Sequence, residues 1–297
     1  MSPSTKARLQ LVGAALLFST GGAAIKAAAF TGWQIACLRS GFAAVALLLM
    51  VPGARRGWTL RQAQGGLRQS LLVGVAYAAC LTLFVLANRL TTSANTIYLQ
   101  STAPLYLLIL APWLLKEPVR QRDVGFMLVV AFGLMLFFVG VERPAATAPD
   151  PVQGNILALV SGFCWALTVL GLRWLSAREG RGSPIVAVTS GNLTAFLVTL
   201  PFALPFGAHS ITDWSLVIYL GVFQIALAYV LVTSAINHIR ALEASVILLI
   251  EPALNPVWAW LVHGEVPGIW AMAGGAIILA ATTAKSFSER RVAAPVT

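Results

Sequence analysis

The chain has 297 residues, 58% of them hydrophobic and 10% charged, with a formal net charge of +10 and a mean hydropathy of +0.82. Soluble domains are about a quarter charged and disordered chains are poor in apolar residues, so a water-soluble enzyme and an unfolded chain are both excluded. At about 20 residues per crossing, roughly ten membrane helices with short connections use up the length.

In chain order, ten apolar segments are expected as helices: 8–25, 33–51, 68–87, 94–114, 124–141, 153–172, 184–206, 214–236, 243–262 and 268–286. The first follows Lys6 and Arg8 and precedes Ala27–Ala29, which resembles a signal peptide. Lys26 interrupts that cleavage region and nine further segments follow, so the segment is expected to stay in the membrane. The second carries Arg39 and the third the face Tyr77, Cys80, Phe84 and Asn88. In the fourth, Asn95, Tyr98, Thr102 and Tyr106 recur at helical spacing beside Pro104. The sixth offers Ser161, Trp165 and Thr168 on one face, and Ala158, Gly162 and Ala166 at the spacing of close helix packing. The eighth holds Gln224 and Tyr229, which do not share an α-helical face well, and the ninth Ser245, Glu251, Pro252 and Pro256. Trp33, Trp58, Trp214 and Trp270 fall near segment ends as interfacial anchors.

Counting Lys and Arg on alternate sides of these ten segments places sixteen on the side of the N-terminus and three (Lys26, Arg89, Arg143) on the other, with Arg39 inside a span. That asymmetry accounts for the basic charge without a nucleic-acid partner and puts both termini in the cytoplasm. Cys37, Cys80 and Cys164 lie in apolar segments with no CxxC pair, and His209, His238 and His263 are scattered, so neither a disulfide framework nor a metal site is expected.

The segments also repeat. Pro104 and Glu117 are spaced like Pro252 and Glu265, Ser40-Gly41 returns as Ser190-Gly191, and Gly74-Val75 as Gly221-Val222, with Asn88 and Asn237 closing the latter helices. The expected organisation is therefore a first five-helix repeat at 1–145, a second at 150–290 and a tail at 291–297. An odd number of crossings turns the second repeat upside down, an inverted-topology arrangement used by transporters with a site between the halves at mid-depth. The fold class is an all-α polytopic membrane protein of ten transmembrane helices.

Five plus five helices, an Arg in the second, and the Pro–Glu spacing ending the fourth and ninth resemble the EamA-type drug/metabolite transporter superfamily over essentially the whole chain. Within it the chain looks most like bacterial inner-membrane exporters of aromatic and other amino acids, the YddG type. The resemblance implies alternating access around a central cavity lined by the first, third and fourth helices of each half.

An amino acid zwitterion asks for donors, acceptors and an apolar wall at depth. The expected cavity residues are Tyr77, Asn95, Tyr98, Thr102, Trp165, Tyr229 and Ser245; the competing reading is that these groups join helices by hydrogen bonds. Pro104, Pro252 and Pro256 free the carbonyls of Gln100, Leu248 and Pro252 and are read as hinges, with direct substrate contact as the lesser alternative. Arg39 and Glu251 are intramembrane charges and functional candidates by default, as a pair or gate, although their depths differ by roughly 8 Å at the helical rise. Arg39 could instead snorkel outward, and proton coupling is a further reading of Glu251. Glu117 and Glu265 end their helices near a surface and are expected to be solvated or capping.

The expected function is secondary export of amino acids, aromatic and other mainly neutral ones, across the bacterial inner membrane by a chain that works as a monomer or an oligomer. Export of other small metabolites or drugs is the alternative. An intramembrane enzyme is disfavoured by the lack of HExxH, GxSG and GxGD motifs, and ATP use by the lack of GxGxxG and Walker A motifs; no cofactor is expected.

Overall fold

The computed structural model describes residues 3–51, 67–114, 121–139, 143–179, 183–235, 238, 244 and 247–293. Among them the regular elements are all helical: α1 (Pro3–Ser19), α2 (Gly21–Ala27), α3 (Gly32–Met50), α4 (Leu67–Leu90), α5 (Ser93–Gln100), α6 (Ala103–Leu114), α7 (Gln121–Val139), α8 (Pro151–Glu179) and α9 (Ser183–Ala203). α10 (Ile211–Tyr219) continues through a π-helical stretch, Leu220–Leu227, into α11 (Ala228–Ala235), followed by α12 (Ile250–His263) and α13 (Ile269–Ala293).

Six runs are long and apolar enough to cross a bilayer: Ser4–Ala27, Gly32–Met50, Arg68–Leu90, Pro151–Leu172, Ile185–Ala203 and Ile211–Ala235. The protein is thus a multi-pass helical membrane protein. The remaining four expected segments do not meet that measure. Asp123–Val139 and Ile269–Lys285 are shorter apolar stretches. The ninth is described as continuous helix only from Ile250. The fourth is cut in two at Ser101–Thr102.

The helix ends are written locally. Thr31 and Gln34 form a reciprocal capping box at the start of α3, as Ser210 and Asp213 do for α10. Asp150 accepts from the Gln153 amide (3.0 Å) and Pro151 takes the first position of α8, where a missing N–H costs nothing. Gly264, at φ +65°, closes α12 in the left-handed conformation that glycine adopts freely.

Packing follows the repeat. α4 lies on α8 and α1 on α11; α5 and α6 lie on α8, and α12 on α1; α9 lies on α4, and the π-helical stretch on α3. α3 pairs with α9 and α7 with α13. Exchanging each helix for its counterpart in the other half converts these pairings into one another, the signature of an isologous, two-fold-like contact. The repeated glycines make the interlock. A Cβ on Gly74 would stand 2.9 Å from Ser190 Oγ and 3.2 Å from the Gly191 amide; a Cβ on Gly221 would stand 2.7 Å from the Arg39 carbonyl. Each glycine thus lies against the Ser-Gly region of the opposite half.

The small face of α8 does the same work. Ala158 and Ala166 are fully buried. A Cβ on Gly162 would meet the Gln100 carbonyl at 3.1 Å, so the glycine covers the backbone where the fourth segment breaks. An Asp123–Lys285 ion pair, with the ammonium 5.9 Å over the Phe126 ring, ties α7 to α13.

Candidate substrate cavity

A cavity of roughly 330 Å³ lies between the halves, within the size range of small-molecule sites. Arg39, Tyr77 and Pro104 come to it from the first half, and Trp165, Tyr229 and Glu251 from the second. Its aromatic wall is continuous. Phe18 meets Tyr229 edge-on at 5.4 Å, Tyr229 meets Tyr77 at 5.8 Å and 88°, and Tyr77 lies 6.4 Å from Trp165. The first two contacts are edge-to-face pairs, which the ring quadrupoles favour.

The eighth segment departs from the sequence expectation. Gln224 and Tyr229 are five residues apart, far round an α-helix at about 100° per residue, yet both line the cavity. The π-helical stretch explains it, because i→i+5 pairing widens the turn and brings residues five apart towards one side. Tyr77 and Gln224 also stand at equivalent repeat positions, as do Pro104 and Pro252, and all four face the cavity.

Several expected lining residues lie elsewhere. Tyr98 is in the apolar core, edge-on to Phe137 at 6.4 Å and against Gly275. Asn95 bonds Thr91 Oγ1 and Asn155 Oδ1, both at 3.2 Å, and Asn155 accepts from the Thr91 hydroxyl and donates to the Phe137 carbonyl. It therefore belongs to an interhelical polar cluster, the competing role considered for it. Thr102 is buried and donates to the Leu99 carbonyl (2.6 Å) at the break before α6, which ends the single helical face expected from Asn95 to Tyr106. Pro104 and Pro252 occupy the first turns of α6 and α12, while Pro256 is buried inside α12 away from the cavity. Ser245 and Glu117 fall outside the described residues. Gln100, which sequence reading did not select, lines the cavity and donates to Ser161 Oγ (2.9 Å).

The bundle end opposite α1's N-terminus is stitched shut by polar groups. Lys26 pairs with Glu265 at 3.0 Å, their side chains 4% and 2% exposed, and donates to the Thr91 (2.8 Å) and Thr147 carbonyls. Glu265 also accepts from the Ser93 amide, the N-terminus of α5, where a carboxylate is favoured by the helix dipole. Arg89 reaches the Ile25, Lys26 and Ala28 carbonyls at the C-terminal end of α2. Of the solvated or capping role expected for it, Glu265 is not solvated: it is a buried ion-pair partner that accepts at the start of α5, and Lys26 is not a loop charge.

Arg39 does not snorkel: it is 1% exposed. It shares the cavity with Glu251, and the two form no ion pair. No cluster of three or more His, Cys, Asp or Glu side chains suited to a metal occurs among the described residues.

The profile of the EamA-like transporter family matches residues 5–139 and again residues 152–285. The pseudopaline exporter CntI of Pseudomonas aeruginosa is 26% identical over 284 residues, covering 93% of this chain and 94% of that one. The threonine/homoserine exporter RhtA of Escherichia coli is 27% identical over 227 residues, 75% of this chain and 72% of that one. A solved crystal structure superposes over 98% of this chain and 99% of its own with a TM-score of 0.59 at 17% identity, a likeness of fold. The chain belongs to the EamA-like transporter family.

Proposed function

We propose that this EamA-family chain exports neutral amino acids, aromatic ones included, across the bacterial inner membrane by alternating access. The observation that carries the reading is one cavity walled by aromatic rings and single charges from both halves, of a size that suits one small solute. The similarity to a threonine/homoserine exporter supports amino acids as the class, and that to a pseudopaline exporter supports export of a small molecule. In this reading ten helices in two inverted repeats enclose the cavity, one chain is sufficient for transport, and residues 1–145 and 150–290 are the moving halves. The Lys26–Glu265 seal is the periplasmic gate in its closed state. The breaks before Pro104 and ahead of Pro252 are the hinges, because a proline in the first turn leaves the preceding carbonyls outside the helical ladder. The excess of Lys and Arg on the side of the N-terminus supports cytoplasmic termini.

The test is counterflow in liposomes holding the purified full chain, with radiolabelled threonine, homoserine, leucine and phenylalanine. Saturable exchange of at least one amino acid is expected; linear, unsaturable flux would point to a channel. Trp165→Ala and Tyr77→Ala should lower phenylalanine exchange about 3- to 10-fold relative to threonine, the worth of one aromatic contact. An unchanged preference would remove both rings from the site. A reporter active only in the periplasm, fused after Thr297, should stay silent; activity would overturn the topology.

A further inference from the structure

We propose that Arg39 is the carboxylate-binding residue of the cavity, so that the carrier selects solutes with a free carboxylate and, through Glu251, an accompanying ammonium. This rests on the amino acid reading above and narrows it to a charge requirement set by one residue.

Arg39 is 1% exposed and lines the cavity from α3. Its Nε and Nη1 have no hydrogen-bond partner among the described residues. The ion pairs among those residues, Lys26–Glu265 and Lys285–Asp123, do not involve it. A buried guanidinium without a partner carries a large desolvation penalty, and such a charge within a membrane protein marks a substrate or ion path by default. Its planar fork matches a carboxylate through two parallel hydrogen bonds, which a lysine cannot reproduce. The backbone that carries it is fixed, because Gly221 of the π-helical stretch lies directly against the Arg39 carbonyl.

The rest of the cavity suits the other end of the same solute. Glu251 is the one acid among its described lining residues. Gln224 adds an amide oxygen that is buried and unpartnered. One cation and one anion, left apart in a shared cavity, complement a zwitterion better than they complement a neutral drug or an organic cation. Had Arg39 been a structural charge, a carboxylate from the surrounding helices would meet it.

The test uses the purified full chain in liposomes and three solutes with one side chain: leucine, leucinamide and 4-methylpentanoate. Leucine should exchange at least about tenfold faster than leucinamide, the worth of a charge-assisted contact. In Arg39→Gln that ratio should collapse to within about threefold, and Arg39→Lys should retain part of it. Because no acid is orphaned, Arg39→Gln should unfold no earlier than the parent protein; a structural role predicts the opposite. Should Arg39→Gln fail to fold, the proposal falls. Leucinamide carried as well as leucine, or an unaltered ratio in Arg39→Gln, overturns the proposal and leaves a small-solute exporter standing. Exchange of 4-methylpentanoate without leucine keeps Arg39 in its role and removes the amino acid reading. A protein inert to all three removes both.

Discussion

Lys26→Met should lower the unfolding free energy of the purified protein by about 3–5 kcal/mol, the usual result of stripping one partner from a buried ion pair. The substitution removes the ammonium that pairs with Glu265 and that also donates to the Thr91 carbonyl. Among the described residues the Glu265 carboxylate then keeps only the Ser93 amide, and its side chain is 2% exposed, so water cannot replace the lost cation without opening the seal. The informative variant is therefore the double one. Lys26→Met with Glu265→Gln leaves no orphaned charge, and replacing both members of a buried pair is often close to neutral. It should recover at least about half of the loss. A double-mutant cycle on denaturant midpoints in detergent measures this. Additive effects, or a Lys26→Met protein as stable as its parent, would show that the pair does not hold that end of the bundle together.

This seal was the part of the molecule least legible in the sequence. Lys26 and Glu265 are 239 residues apart, and each stands beside loop residues, where a charge is ordinarily solvated. Nothing in either local pattern says that these helix ends of the two halves meet. Gln224 was obscured for another reason. Helical periodicity assumes about 100° per residue, and a π-helical stretch breaks that assumption without a compositional mark. The fourth segment turns a different face to the cavity, Ile97, Gln100, Ser101 and Pro104, and its polar 3-4-4 face packs between helices instead. Tyr98 and Thr102 sit off the cavity, whereas Tyr77, Trp165 and Tyr229 line it. What the sequence carries well is whatever the repeat enforces twice. The Ser-Gly and Gly-Val pairs, read as spacing alone, are among the places where the two halves touch.

That symmetry is not perfect, and its imperfection yields the second large effect. Gly221→Ala should destabilise the protein by about 1–3 kcal/mol, the cost of overpacking a filled interior, and Gly74→Ala by clearly less. The new methyl at Gly221 would stand 2.5 Å from Phe42 Cβ, 2.7 Å from the Arg39 carbonyl and 3.0 Å from the Ala43 amide. Two of those three are backbone, and the third is a Cβ fixed to it, so relief requires α3 to move away from the π-helical stretch. At Gly74 the closest atom is Ser190 Oγ at 2.9 Å, a hydroxyl that can rotate, and the backbone begins at 3.2 Å. Moving α3 also moves Arg39, so Gly221→Ala should weaken transport beyond its loss of stability, while Gly74→Ala should not. Denaturation midpoints paired with counterflow rates normalised to folded protein separate the two effects. Equal destabilisation by both variants, or full transport by the Gly221→Ala protein, would mean that the contact between the π-helical stretch and α3 does not set the position of Arg39.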